Sequence, residues 1–205
     1  MTKTARVVSF FPVFQLLMII GSFYLLINQS FLGGLLAVTF CIYFLPILCL
    51  YFHNYFFPYK EGKFLLNTKH YTFWWGIHQF QLLFISLPFL EGILRLCPGL
   101  YSFWLRLWGS KIGKNVYWTP SIEILDRTSL EIGSNVIIGH KVIFLPHVIM
   151  KTKSERGLIL VLKKIKIENN CFIGAGSRFG PGSIIKENSI LPVITDLKIN
   201  EVFGE

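Results

Sequence analysis

The sequence predicts a mostly β molecule: a left-handed parallel β-helix of hexapeptide repeats, preceded by an N-terminal transmembrane helical hairpin and interfacial helices. Two observations predict it. Between Arg6 and Lys60 there is no Asp, Glu, Lys or Arg. From Ile112 to about Thr195, small apolar residues recur every six positions, often followed by Gly or a turn residue. Composition agrees, since 53% of the 205 residues are apolar, more than an ordinary soluble domain carries. The expected organisation is a hairpin over residues 1–59, an interfacial helical segment over 60–110 and the β-helix over 111–205.

A helix needs about 20 apolar residues to cross the ~30 Å hydrocarbon core. Two runs meet that need, Val7 to Ile27 and Phe31 to Phe52. Only Asn28, Gln29 and Ser30 separate them, a polar step suited to a tight helical turn. A cleaved signal peptide is the rival reading of the first run. That run is long, lacks a small-x-small site and meets a second run at once, so the hairpin is preferred. The exit from the second run is aromatic, with Tyr55, Phe56, Phe57 and Tyr59 as an expected headgroup belt.

Tyr71 to Trp108 is apolar but broken by Pro88, Pro98 and Gly99, with isolated charges at Glu91, Arg95 and Arg106. Interfacial or re-entrant helices that seat the repeats against a bilayer fit this pattern better than two spans. A buried helix of a cap domain is the remaining alternative.

The repeats then run in frame. Their leaders are Ile112, Trp118 and Ile124; then, after Leu130 and Glu131, Ile132, Ile138 and Phe144; then, after an insert of roughly residues 150–166, Ile167, Ile173, Phe179, Ile185 and Leu191. A period of six matches neither a helix nor an ordinary strand. Short units of this kind bury their faces only by stacking into a solenoid. Three hexads make one triangular coil, and about three and a half coils are expected from this frame. The leader fills the core, the small residue two before the next leader fills the corner, and Gly113, Gly133, Gly139, Gly174 and Gly180 relieve the backbone at turns.

A net charge of +9 raises the question of nucleic acid, but its placement argues otherwise. Lys3 and Arg6 precede the charge-free stretch and the rest follow it. Both ends of the hairpin are basic, so both are expected on the cytoplasmic side. Basic residues beside a membrane suit anionic lipid or a polyanionic substrate. The four cysteines include no CxxC pair, so neither a metal knuckle nor a disulfide framework is indicated.

The stretch from Ile132 to His147, with Ile-Gly-Ser-Asn-Val-Ile-Ile-Gly-His-Lys-Val-Ile at its start, resembles the hexapeptide-repeat acyltransferases. These include galactoside, virginiamycin and serine acetyltransferases. Ile173-Gly-Ala-Gly-Ser-Arg-Phe-Gly-Pro-Gly-Ser-Ile resembles them too. A shorter run, Leu105 to Val116, is similar to the start of the repeats in membrane-linked domains of amino-acid-polymer synthetases. In the first family a His closing a repeat before an excursion loop is the general base, and His147 has that placement. An imidazole changes charge near neutral pH and so takes protons readily there. The resemblance implies acyl-coenzyme A as donor substrate, no permanently bound cofactor, no metal and trimeric assembly.

Aligning Ile112 on Ile132 sets Asp126 under Pro146 one coil away, about 4.8 Å in strand spacing. Asp126 there orients the imidazole or holds the acceptor, or else caps local amides as a turn residue. Glu123 is a weaker candidate for the same role, and His140, at a turn, competes with His147. For the donor, Gly180, Pro181 and Gly182 offer bare backbone above His147, with Gly174 and Ala175 nearby in frame. Arg178, Lys186, Lys151, Lys153 and Arg156 are candidate phosphate contacts, against the plainer reading of solvated charges.

The expected activity moves an acyl group, acetyl first, from coenzyme A to an oxygen or nitrogen nucleophile on a membrane-linked glycan, lipid or carrier-bound acceptor. The protein is expected to be integral to the membrane, with its catalytic domain cytoplasmic. A β-helix zinc enzyme needs three histidine ligands, and only His140 and His147 lie in the repeats. No nucleotidyltransferase signature precedes them. The alternative is a non-catalytic β-helix scaffold, which would not need an insert beside its best-placed His.

Overall fold

A computed structural model describes residues 2–66, 70–151 and 157–205. The chain divides into two compact units, Met1–Tyr59 with Thr68–Leu83, and Lys60–Asn67 with Phe84–Glu205.

The first unit is helical: α1 (Lys3–Ser9), α2 (Phe11–Asn28), α3 (Phe31–Tyr43), α4 (Leu45–Phe56) and most of α5 (Phe73–Ser86). Thr2 and Ser30 start α1 and α3 by accepting the backbone N–H of Ala5 and Gly33, which satisfies otherwise orphaned donors. Residues Lys3–Asn28 are long and apolar enough to cross a membrane, with mean hydropathy 2.1. Helices α3 and α4 pass the same test only as one span bent by 43°, where Leu45-Pro46 opens the new helix. Gln15 Nε2 donates to Cys41 O at 3.0 Å, so the buried amide of α2 is satisfied by the backbone of α3. A Cβ at Gly34 would lie 2.2 Å from Leu26 Cα, so the two backbones approach closely there. The outer faces expose Leu17, Ile20, Ile27, Phe31 and Leu36. Exposed apolar residues in this number are typical of surfaces that meet a membrane or another protein.

The second unit is a three-sided parallel coil. Its strands are β2 (Lys111–Ile112), β3 (Tyr117–Trp118), β4 (Glu123–Ile124), β5 (Leu130–Ile132), β6 (Ile137–Ile138), β7 (Ile143–Phe144), β10 (Ile165–Ile167), β11 (Phe172–Ile173), β12 (Arg178–Phe179), β13 (Ile184–Ile185), β14 (Ile190–Leu191), β15 (Asp196–Leu197) and β16 (Val202–Phe203). They form three sheets, ordered β16-β13-β10-β5-β2, β14-β11-β6-β3 and β15-β12-β7-β4. Leaders stack on leaders: Ile112, Ile132, Ile167, Ile185 and Phe203 share one file. Ile124, Phe144, Phe179 and Leu197 share another, with the Phe144 and Phe179 rings stacked at 5.1 Å. Val136, Val142, Cys171, Ser177 and Ser183, each two before a leader, are buried as the frame requires. The coil is longer than expected, because Leu197 and Phe203 continue the period past Thr195.

The glycines need a correction. None of Gly113, Gly133, Gly139, Gly174 and Gly180 has positive φ. They are small because the next coil is close: a Cβ at Gly113 or Gly174 would sit 2.4 Å from backbone of the following coil. Positive φ falls instead on the residue three after most leaders, between 53° and 76° at Asn115, Ser121, Asn135, Lys141, Asn170, Gly176, Gly182, Asn188, Ile194 and Asn200. Asn tolerates this conformation, and Asn115, Asn135, Asn170 and Asn188 also form a ladder of side-chain hydrogen bonds from coil to coil.

Two short helices, α6 (Phe89–Arg95) and α7 (Leu100–Leu107), precede the first coil. Arg106 donates to the carbonyls of Ile112 and Gly113, and Trp118 Nε1 donates to Ser102 Oγ at 2.8 Å. Trp104 and Trp108 are buried against Phe84. The inner face of α7 therefore caps the open strand edge. The expected helical segment 60–110 also contains a strand, β1 (Gly62–Leu66). It pairs antiparallel with β9 (Leu158–Leu162), which pairs antiparallel with β8 (His147–Lys151). The insert is thus a β arm, and it begins at His147.

Candidate active site

The arm leaves the coil at a defined place. Leu145 N–H donates to Phe179 O as the last rung of the coil. Pro146 then has no N–H to offer the ladder, while its carbonyl accepts from Lys163 N at 2.9 Å. His147 pairs with Leu162 as the first rung of the arm. Its backbone is held from both sides.

Asp126 lies one coil before it, just past β4. The aligned register of Ile124 on Phe144 brings the two side chains together, and His147 Nδ1 hydrogen-bonds Asp126 Oδ2. Asp126 is 1% exposed, and the His147 side chain keeps about 10% of its surface. A carboxylate on Nδ1 fixes the ring's orientation and favours the tautomer with the proton on Nδ1. Proton exchange then falls to Nε2.

The corners explain why this pair occurs here and nowhere else along the coil. Arg127 and His147 occupy the position three after a leader, yet neither has the positive φ of every other such corner. At Arg127 the two extra residues before Ile132 relax the corner. At His147 the chain departs into the arm. Both irregular corners belong to one edge of the coil, in successive turns.

A buried ionic group adjoins Asp126. Arg127 Nε donates to Glu91 Oε1, and Glu91 Oε2 accepts from Arg95 at 2.9 Å and from Tyr101 Oη at 2.8 Å. Glu91 and Arg127 are each 2% exposed. Burial, with Glu91's charge adding, pushes the Tyr101 phenol far up, so it stays a neutral donor. Ser110 Oγ donates to Arg127 O at 2.7 Å and accepts from Leu130 N, which pins the turn after Asp126. Sequence reading singled out Glu91 and Arg95 only as isolated charges and missed Arg127. The usable signal was a charge at a corner where the frame stretches.

The other expected residues are placed differently. Gly174 and Gly180 lie under the backbone of Pro192 and Leu197, and Ala175 O accepts from Ile194 N. Gly182 faces Lys163 and Asn200. Arg178 makes two hydrogen bonds to Asp196, and Lys186 pairs with Glu168 at 3.4 Å. All six positions offered for the donor also take part in contacts between coils. His140 and Glu123 are exposed. Lys151 lies at the end of β8, while Lys153 and Arg156 fall outside the described residues. Among the described residues no three His, Cys, Asp or Glu side chains form a metal-sized group.

No protein-family profile matches the chain. No curated protein matches it in sequence. Among solved structures it is similar to a hexapeptide-repeat-containing acetyltransferase from Vibrio cholerae, at 15% identity and TM-score 0.37, over 58% of this chain and 86% of that one. It is also similar to such an acetyltransferase from V. cholerae O1 biovar eltor complexed with acetyl-coenzyme A, at 16% identity and TM-score 0.23, over 55% and 82%. Serine acetyltransferase 1 of Entamoeba histolytica, in complex with L-cysteine, matches at 12% identity and TM-score 0.21, over 93% and 74%.

Proposed function

We propose that the chain is a membrane-anchored acyltransferase built on a left-handed parallel β-helix, with His147 as general base and Asp126 as its positioning partner. The observation that carries this reading is the Asp126–His147 hydrogen bond at the two irregular corners of the coil. His147 Nε2 takes the proton of an acceptor hydroxyl or amine. The freed lone pair attacks the thioester carbon of an acyl-coenzyme A. The tetrahedral oxyanion collapses, the C–S bond breaks, and the departing thiolate recovers the proton from His147. Asp126 stabilises the imidazolium formed between these steps.

Acetyl is the first donor to test, and the acceptor is a membrane-linked glycan, lipid or carrier-bound group. An N-terminal helix able to cross a bilayer supports that acceptor class, because it keeps the chain at the membrane. Gly174, Ala175, Gly180, Gly182, Arg178 and Lys186 are proposed to lie along the coenzyme A path. The catalytic unit is proposed to face the cytoplasm, where coenzyme A is available, in a homotrimer. The full chain, purified in detergent with membrane lipids, is incubated with acetyl- and longer acyl-coenzyme A. Free thiol is followed, together with label in the lipid fraction. Thiol release that depends on His147 is expected. Absence of transfer from every donor would favour the scaffold.

A further inference from the structure

A cleft of about 510 Å³ opens where α7 meets the first coil. Arg95 and Arg106 both line it, and no carboxylate does. Arg106 is held by two backbone carbonyls, at 2.8 and 2.7 Å, so neutral acceptors fix its direction without cancelling its charge. Arg95 shares the carboxylate of Glu91 with Arg127, and its Nη2 also donates to Tyr101 Oη at 3.0 Å and to Ile122 O at 3.1 Å. The Arg95 side chain is 9% exposed, and its Nε finds no acceptor among the described residues. Tyr117 and Trp118 form the facing wall. Two guanidinium groups thus border a partly desolvated cleft, and that of Arg106 has no carboxylate beside it in the lining.

The flanks are apolar. Leu96, Leu100 and Phe103, on and between α6 and α7, are exposed, Leu96 to 80%. A soluble anion has no use for such a rim, whereas a lipid has a phosphate for the guanidiniums and chains for the rim. Short amphipathic helices that join exposed apolar side chains to arginines lie at bilayer surfaces in this way. The chain also carries a helix long and apolar enough to cross a membrane, so headgroups are at hand.

We propose that this cleft binds the phosphate of an anionic membrane phospholipid, with Leu96, Leu100 and Phe103 among the acyl chains. Guanidinium suits the task because its planar donors match phosphate oxygens in pairs. The site is independent of acyl transfer and stands whether or not His147 is a base.

Native mass spectrometry of the full chain released from detergent tests it, with phosphatidylglycerol, phosphatidylcholine and soluble glycerol phosphate as probes. Phosphatidylglycerol should be retained about fivefold over phosphatidylcholine, the worth of one arginine near an anionic surface. Glycerol phosphate should not compete at equal concentration. Tyr117→Glu adds a carboxylate to the cleft at a position already 62% exposed, so the fold is unaffected. That variant and Arg106→Gln should lose the preference, and Leu96→Ser should weaken retention of both lipids. Should Arg106→Gln fail to fold, Tyr117→Glu decides. Equal retention of the two lipids by the wild type, or an undiminished preference in Tyr117→Glu, overturns the site. Binding of glycerol phosphate as tight as that of the lipid overturns the lipid and leaves a soluble phosphate ligand.

Discussion

His147 and Arg127 are the corner residues of this coil that lack positive φ, and the proposed chemistry is placed beside them. With Asp126 on Nδ1, the imidazole is oriented before any acceptor arrives. His147→Ala should therefore lower acyl transfer about 100-fold or more, the usual worth of a general base, while leaving the coil folded. His140→Ala, at an exposed turn, should lose far less, and Asp126→Asn should fall between them; initial rates on one donor and acceptor check all three. A second residue-scale effect concerns Glu131, which Lys111 and Lys166 meet in register from the coils on either side. Burial alone raises the Glu131 carboxyl, but hydrogen bonds and charge from Lys164 and Lys111 outweigh it and hold it below its ordinary 4.5. A depressed folded pKa contributes stability that is present above the unfolded value and is lost as pH falls through the folded one. Melting temperature should thus be higher for the wild type than for Glu131→Gln at pH 6, and the gap should close on acidification below about 4.5. A gap unchanged down to pH 3 would show that the Glu131 charge does not stabilise the coil.

At the scale of elements, the stack rests on glycines that stand under backbone rather than on glycines that bend it. A Cβ at Gly174 would approach Pro192 backbone to 2.4 Å, and backbone is not free to move aside. Gly174→Ala should cost about 2 kcal/mol or more, in the range of overpacked cores, whereas Gly92→Ala, inside α6 with nothing within 4 Å, should be neutral or stabilising by up to about 1 kcal/mol. Denaturant titration of the two variants compares them directly. The six-residue frame was legible because each leader from Ile112 to Leu191 is apolar and each turn is short. The Asp126–His147 contact was legible for the same reason, since register alone stacks Ile124 on Phe144. The role of the glycines was not, because a period shows where a residue recurs and not what lies above it. Nor was β1, whose partner β9 lies far along the chain. Glu91 with Arg127 was hidden likewise: 36 residues separate the two, and no repeat links them.

At the scale of the whole molecule, the number of bilayer crossings decides which side the repeats occupy. Lys3–Asn28 is long and apolar enough to cross alone, Phe31–Phe56 only as one bent span, and Phe73–Arg95 would make a third, again bent. Two crossings return the chain to the side on which it starts; one or three do not. The basic residues Lys3 and Arg6 before the first run, and the basic stretch from Lys60 onward, favour the same side for both, since positive charge is retained in the cytoplasm. Coenzyme A thioesters are available only there, so the proposed reaction imposes the same parity. Tags at both termini should resist protease in sealed right-side-out cells and be cut once the membrane is permeabilised. If the C-terminal tag alone is cut from outside, an odd number of crossings follows, and His147 is separated from its donor. That result would end the acyl-coenzyme A mechanism even if the Asp126–His147 pair were intact.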